Sequence, residues 1–142
     1  MVLRAEKPKH FQYARELKTL GDHIRKRRLD LGLLQKQVAK QIGVDQTTIW
    51  NWESNESIPQ VQFIPAIIKF LGYNPLPSPD LPHQRLVFYR QVLGLSQRGL
   101  GKRIGVDPKA LGLSERGKRP LSKRLLKFLE GVSKSVIALW SR

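Results

Sequence analysis

The sequence contains no cysteine, which excludes both a disulfide framework and a thiolate metal site. It has no apolar run near the roughly 20 residues that a membrane-spanning helix requires. Its first ten residues, MVLRAEKPKH, lack the apolar stretch of a signal peptide. Its histidines, His10, His23 and His83, show no ligand spacing, and no carboxylates are grouped for acid–base catalysis. These absences predict a soluble intracellular protein that needs no metal or cofactor and is not an enzyme.

Acidic residues are scarce relative to basic ones. The 142 residues include 26 lysines and arginines but only 11 aspartates and glutamates, which gives a formal net charge of +15. A charge this far from neutrality favours a polyanionic partner, with nucleic acid preferred over an anionic membrane surface. The hydrophobic content of 40% is sufficient for compact cores, so the length allows one ordinary domain or two small ones.

Short helices are predicted along the first half of the chain. Leu17, Leu20, Ile24 and Leu31 recur at helical spacing, which predicts a first helix that ends at Gly32. A strongly apolar helix is predicted later, in residues 63–71.

Between them, the stretch from Gln35 to Trp50 reads QKQVAKQIGVDQTTIW and predicts two helices joined by a tight turn. Gly43 suits the turn because glycine tolerates a positive φ. Asp45 supplies an N-cap carboxylate for the helix that follows. A helix–turn–helix unit whose second helix is polar can enter the major groove of DNA.

The segment NPLPSPDLP, residues 74–82, contains four prolines and predicts a stiff, extended linker. After it the earlier pattern begins again. Sliding the chain by 62 positions aligns Gly43-Val44-Asp45 with Gly105-Val106-Asp107, and IIKFLG of the apolar helix resembles LLKFLE at 125–130. The sequence therefore predicts an all-α protein built from two copies of one module. The predicted divisions are a basic leader at 1–16, a first domain at 17–73, the linker, and a second domain with a C-terminal extension at 83–142.

Residues 20–55 resemble the helix-turn-helix of phage-repressor and Cro-like regulators, the xenobiotic-response-element (XRE) type. The resemblance rests on the glutamine that opens the second helix, the small Ala39, the Gly43 turn and the Ile-x-x-Trp-Glu end at 49–53. The second copy keeps GLSQ at 94–97 and ERGKRP at 115–120.

This resemblance implies two tandem λ-repressor-like domains of four to five short helices each, the second degenerate. It also implies that the protein is a transcriptional regulator that binds double-stranded DNA. Such a protein would be bacterial or phage-encoded, cytoplasmic, and associated with the nucleoid when bound to DNA.

The resemblance assigns DNA contacts to particular helix positions. Glutamine and asparagine amides can pair with an adenine edge, and a threonine methyl can meet a thymine methyl. The implied base contacts are Gln46, Thr47, Trp50 and Asn51, and the implied phosphate contacts in the same module are Gln35, Thr48 and Asn55. Ile49 and Trp52 should pack inward. For Trp50, contact with DNA, packing at the rim of its own core and contact with a partner subunit all remain open.

The second module departs from the pattern where bases would be read. Gly112 occupies the place of Trp50, and Leu113, which has no hydrogen-bonding side chain, occupies the place of Asn51. Residues 75–142 nevertheless carry 14 of the 26 basic residues and only 4 of the 11 acidic ones. This composition predicts a module that binds the phosphate backbone, with a solvated basic surface as the alternative. The predicted phosphate contacts are Gln97, Arg98, Lys102, Arg103, Lys109, Arg116, Lys118 and Arg119.

The resemblance also implies two structural ion pairs, Arg28 with Glu53 and Arg90 with Glu115, each linking the first helix of a module to the end of its third. Near the C-terminus, Val132, Val136 and Trp140 are spaced by four. That segment either packs on the second module or forms the seam of a homodimer.

An alternative function belongs to a different class. The protein could be an interaction module, such as an antitoxin-like or adapter subunit that holds a partner through these helices. Trp50, Leu113 and the apolar residues near the C-terminus support this alternative.

Overall fold

A computed structural model of the protein describes residues 16–140, and the side chains of residues 16–132. All regular structure within residues 16–140 is helical, which confirms the prediction of an all-α fold. The predicted leader, apart from Glu16, lies outside the described residues. The chain divides into two compact units, Met1–Pro75 and Leu76–Arg142.

Between residues 16 and 75 the first unit contains four α-helices and one short 3-10 helix. In chain order they are α1 (Leu20–Leu31), α2 (Gln35–Ile42), α3 (Gln46–Glu53), the 3-10 helix (Val61–Phe63) and α4 (Ile64–Leu71). Thr19 caps α1, since its side-chain oxygen accepts a hydrogen bond from the backbone N–H of Asp22 at 3.0 Å.

The core of the first unit is formed by apolar residues from all four α-helices. Ile24, Val38, Ile49 and Ile67 are completely buried. Trp52 is 3% exposed and its ring lies 5.7 Å from that of Phe63, centroid to centroid. The prediction that Ile49 and Trp52 pack inward is confirmed.

Two leucines that the periodicity assigned to the buried face of the first helix are exposed. Leu17 is 37% exposed and Leu31 is 47% exposed, whereas Ile24 between them is buried. Leu17 precedes the N-cap of α1, and Leu31 is the last residue of the helix, beside the turn at Gly32. Neither residue can continue the buried face, so this part of the prediction is wrong.

The described part of the second unit, residues 76–140, contains four helices, α5 (Pro82–Val92), α6 (Gln97–Ile104), α7 (Pro108–Glu115) and α8 (Lys123–Trp140). Its core cluster consists of leucines at positions 86, 100, 111, 125 and 129. The first three lie 62 residues after Ile24, Val38 and Ile49, and all six side chains are fully buried.

The C-terminal extension is part of α8 rather than a separate element, because that helix runs without a break from Lys123 to Trp140. The side chains of Val136 and Trp140, on which the predicted dimer seam depends, lie outside the described side chains. None of the helices in the described part of the chain is long and apolar enough to span a membrane.

Candidate nucleic-acid interface

A tight turn joins α2 to α3. Gly43 ends α2 with φ +90°, and its N–H donates to the carbonyl of Ala39 at 2.8 Å. Asp45 begins α3, because its Oδ1 accepts from both the hydroxyl and the backbone N–H of Thr48, each at 2.8 Å. These two bonds lower the pKa of the Asp45 carboxyl. The turn and the cap together fix where α3 begins.

The predicted base-reading side chains lie on the outer part of α3. Gln46 and Thr47 are exposed, Trp50 is 52% exposed and Asn51 is partly buried. Their positions on the helix, one and four residues apart, place them on the side opposite the buried Ile49. The arrangement leaves a polar helix face with one large aromatic ring open to solvent.

The three predicted phosphate contacts of the first unit all make hydrogen bonds within the protein. Gln35 donates one amide hydrogen to Glu53 at 3.3 Å. Thr48 donates its hydroxyl to Asp45. The side-chain amide of Asn55 donates to Asp22 at 3.1 Å, and its oxygen accepts from the hydroxyl of Thr19 at 2.8 Å.

A buried ion pair holds the end of α3. Arg28 donates from Nε and Nη2 to the two carboxylate oxygens of Glu53, both at 2.8 Å, and from Nη1 to the carbonyl of Leu33 at 3.1 Å. Glu53 is 3% exposed. Together with the bond from Gln35, these contacts join α1, the start of α2 and the end of α3 in one network.

The second unit contains the same network 62 residues further along the chain. Arg90 donates to Glu115 at 2.6 and 3.1 Å and to the carbonyl of Leu95 at 2.8 Å. Gln97 donates to Glu115 at 2.9 Å. The sequence suggested the two arginine–glutamate pairs. It did not suggest that Gln35 and Gln97 belong to the same networks, although these two glutamines also align at the shift of 62.

The outer face of α7 differs from that of α3. Gly112 is buried, and a Cβ at this position would lie 3.4 Å from the amide oxygen of Gln97. Leu113 is partly buried. Ser114 stands where the first unit has Trp52, is 2% exposed, and donates to the carbonyl of Pro120 at 3.5 Å.

Basic side chains surround this helix on α6, on α7 and in the loop after α7. All seven predicted basic contacts are exposed, namely Arg98, Lys102, Arg103, Lys109, Arg116, Lys118 and Arg119. Arg124 differs from them, because its guanidinium donates to the carbonyl of Gly105 at 2.8 Å. The exposed group is therefore a surface that a polyanion can approach.

Sequence reasoning missed Asp22, which is 5% exposed. Its Oδ2 accepts from the backbone N–H of Lys18 at 3.0 Å and of Thr19 at 3.1 Å. The Thr-x-x-Asp spacing is that of a capping box with aspartate in place of the usual glutamate, and this signal could have identified it.

No group of three or more histidine and carboxylate side chains in the described region is placed to hold a metal. His23 hydrogen-bonds through Nδ1 to the hydroxyl of Tyr73 at 2.6 Å. Burial lowers the pKa of His23, although the neighbouring Asp22 carboxylate acts in the opposite direction.

Residues 24–77 match the family model described as Helix-turn-helix. The match contains α2, the turn and α3 complete. The family is a DNA-binding one, so the match supports a DNA-binding role for the first unit. Comparisons with curated proteins and with solved structures gave no significant match.

Proposed function

We propose that the protein is a sequence-specific regulator of transcription, because residues 24–77 match the helix-turn-helix family model. The observation that carries the proposal is that both ends of α3 are held by hydrogen bonds while its polar side is exposed. This helix is capped at one end by Asp45, tied at the other by the Arg28–Glu53 pair, and leaves its polar side open. A rigid helix with free amide and hydroxyl groups fits the major groove.

In this proposal α3 reads bases. Gln46 and Asn51 pair through their amides with adenine edges, and the methyl group of Thr47 contacts a thymine methyl. Gln35 uses its second amide hydrogen, the one not given to Glu53, for a phosphate at the start of α2. We assign Thr48 and Asn55 to roles within the protein, where the hydroxyl of Thr48 caps α3 with Asp45 and the amide of Asn55 joins Thr19 and Asp22.

We further propose that the second unit is a degenerate copy of the first and adds affinity for the phosphate backbone. The repeat of the ion-pair network and of three buried core positions at one constant shift supports the duplication. Gly112 and Leu113 give α7 no hydrogen-bonding side chain at the two positions that align with Trp50 and Asn51. The exposed basic side chains around α7 favour contacts that carry affinity but no sequence information.

This division of roles predicts different effects for two alanine variants. Asn51→Ala is expected to relax the base preference at one position, losing about 1–3 kcal/mol of discrimination. Lys109→Ala is expected to weaken all duplexes alike and to reduce the slope of log K against log salt by about 0.9. The measurement is a salt titration of binding to a duplex selected from a random library and to a scrambled duplex.

Lys127→Ala is the matched control for charge, because Lys127 is exposed on α8, outside the proposed phosphate surface. It is expected to leave the salt slope unchanged. An unchanged base preference in Asn51→Ala would refute the assignment of α3 as the reading helix. Stable self-association or partner association without salt-sensitive duplex binding would favour the interaction-module alternative.

A second experiment tests Trp50. If its indole contacts a thymine methyl, replacing that thymine by uracil weakens wild-type binding roughly fourfold, since burying one such group contributes about 0.8 kcal/mol. Trp50→Ala is expected to become insensitive to uracil at that position alone. Thr47→Ser, which removes only a methyl group, is the matched variant and should become insensitive at a different position. Unchanged sensitivity at every position in Trp50→Ala would rule out this contact.

A further inference from the structure

The N-terminus of α1 and the C-terminal end of α3 approach each other closely in the first unit. A Cβ on Gly21 would lie 1.8 Å from the carbonyl oxygen of Trp52 and 3.3 Å from the side-chain oxygen of Asn55. A glycine at position 21 is therefore required for α1 to lie this close to the end of α3. We refer to Thr19, Gly21, Asp22 and Asn55 as the α1–α3 joint.

Hydrogen bonds from one side chain close this joint. Asn55 follows α3 with φ +62°, a left-handed conformation that asparagine tolerates better than most residues. It accepts from Thr19 and donates to Oδ1 of Asp22, while Oδ2 of Asp22 accepts from two backbone N–H groups at the start of α1. In these bonds both carboxylate oxygens of Asp22 accept from N–H groups, so donors and acceptors are matched at Asp22.

The second unit builds the corresponding joint in another way. At the shift of 62, His83 takes the place of Gly21 and Gly117 takes the place of Asn55. Gly117 has φ +72°, and the imidazole of His83 lies 3.4 Å from where its Cβ would be. Gln84, in the place of Asp22, still accepts from the N–H of Leu81. The cap is kept, but Gly117 has no side chain with which to join α7 to α5.

We infer that Asn55 is a positioning residue that fixes the orientation of α3 for base reading, an inference that rests on the proposed function. The Arg28–Glu53 pair attaches the end of α3 to the last turn of α1. Asn55 attaches the same region to the first turn of α1. Ile49 and Trp52 hold α3 against the core, and the two attachments, at opposite ends of α1, fix the direction of its C-terminal end. Hydrogen bonds between side-chain amides and base edges require that the helix carrying the amides is held in a fixed orientation.

The test exchanges the two side chains. In Asn55→Asp the carboxylate of Asp22 faces a second carboxylate. In Asp22→Asn the new amide has two orientations. In one its NH2 group replaces the oxygen that caps α1, and in the other its NH2 group faces the NH2 group of Asn55. Each single variant is expected to lower the ratio of affinities for the selected and scrambled duplexes about tenfold. In the double variant the amide at position 22 caps α1 through its oxygen and donates to the carboxylate at position 55. That exchange restores the hydrogen bonds among Thr19, position 22 and position 55, so the affinity ratio is expected to return to within about threefold of wild type.

Other outcomes would overturn the inference. If Asn55 contacts a phosphate, Asn55→Asp weakens both duplexes equally and Asp22→Asn does not restore binding. If its role is only structural, the single variants lower the melting temperature but leave the affinity ratio unchanged. If the wild-type protein shows no preference for any selected duplex, the proposed function is overturned as well. If the wild-type protein is sequence-specific but the effects of the two single variants on the affinity ratio simply add in the double variant, this inference alone is overturned.

Asn55→Gly provides an independent measurement, because glycine keeps the left-handed backbone while all side-chain hydrogen bonds are removed. It is expected to retain the helical circular dichroism of the wild type and to show the same tenfold loss in affinity ratio. Retention of the full ratio in this variant would contradict the positioning role even if one of the exchange variants failed to fold.

Discussion

Glu53→Ala is expected to lower the free energy of unfolding of the first unit by about 3–5 kcal/mol, because it leaves a buried guanidinium without its carboxylate. The side chain of Arg28 is only 15% exposed and donates twice to Glu53. Water cannot readily replace the lost acceptor, and Gln35 loses an acceptor as well. The measurement is denaturant unfolding followed by tryptophan emission, since Trp50 and Trp52 both lie in this unit.

Two other variants serve as comparisons for Glu53→Ala, one at the equivalent buried ion pair and one at an exposed ion pair. Glu115→Ala removes the equivalent carboxylate in the second unit, where the Arg90 side chain is 11% exposed, and is expected to have a similar cost for that unit. Asp30→Ala removes a partner of Lys26 from an exposed ion pair and is expected to cost about 0.3–0.5 kcal/mol. If Glu53→Ala costs no more than Asp30→Ala, the buried pair does not hold α3.

Gly21→Ala is expected to destabilise the first unit by about 3 kcal/mol, at the upper end of what an inserted methyl group costs in a packed site. The clash is with the backbone carbonyl of Trp52, which cannot rotate away as a flexible side chain can. Relief requires α1 and α3 to separate, so binding to the selected duplex should weaken more than binding to a scrambled one.

Gly43→Ala is the control for this prediction. A Cβ on Gly43 would meet no atom within 4 Å, so the substitution costs only the strain of its φ of +90°, about 1–2 kcal/mol. A smaller destabilisation by Gly21→Ala than by Gly43→Ala, in the same unfolding assay, would mean that the close approach of the two helices is not required.

Much of the first unit could be predicted from local chemistry. The α2–turn–α3 unit follows from Gly43, which can adopt a left-handed φ, and from Asp45, which can cap a helix. The inward packing of Ile49 and Trp52 follows from their spacing of three. These features depend on residues close together in the chain, which is why the sequence alone was sufficient.

Partners that are distant in the chain could not be predicted in the same way. Asn55 is a hydrogen-bonding residue in a loop, but only the fold brings it to Asp22, 33 residues earlier. For the same reason the hydrogen bond from Gln35 to Glu53, 18 residues later, could not be predicted from the sequence. Side-chain type specifies which bonds a residue can make, while tertiary packing decides which partner is near.

The length of α8 was missed for another reason. The spacing of Val132, Val136 and Trp140 predicted a C-terminal segment that packs on the second module or forms a dimer seam, and it gave no bounds for a helix there. In the structure the helix continues through Gly131, where an added Cβ would meet no atom within 4 Å. An isolated glycine costs a helix only about 1 kcal/mol relative to alanine, which continuation of the helix can tolerate.

The exchanged glycines of the two joints have a consequence for the history of the gene. On the proposal that the units are copies, recombination between the repeats would tend to make them identical. The paired positions are 21 and 55 in the first unit and 83 and 117 in the second. A crossover that moved only one position of a pair would place an asparagine at position 117, against the ring of His83, or a glycine at position 55, opposite Gly21. In the first combination the asparagine side chain would have to share its space with the imidazole, which lies 3.4 Å from the position of its Cβ, and in the second the helices would lose the hydrogen bonds of Asn55. On that proposal we expect the two positions of each joint to have changed together as the units diverged.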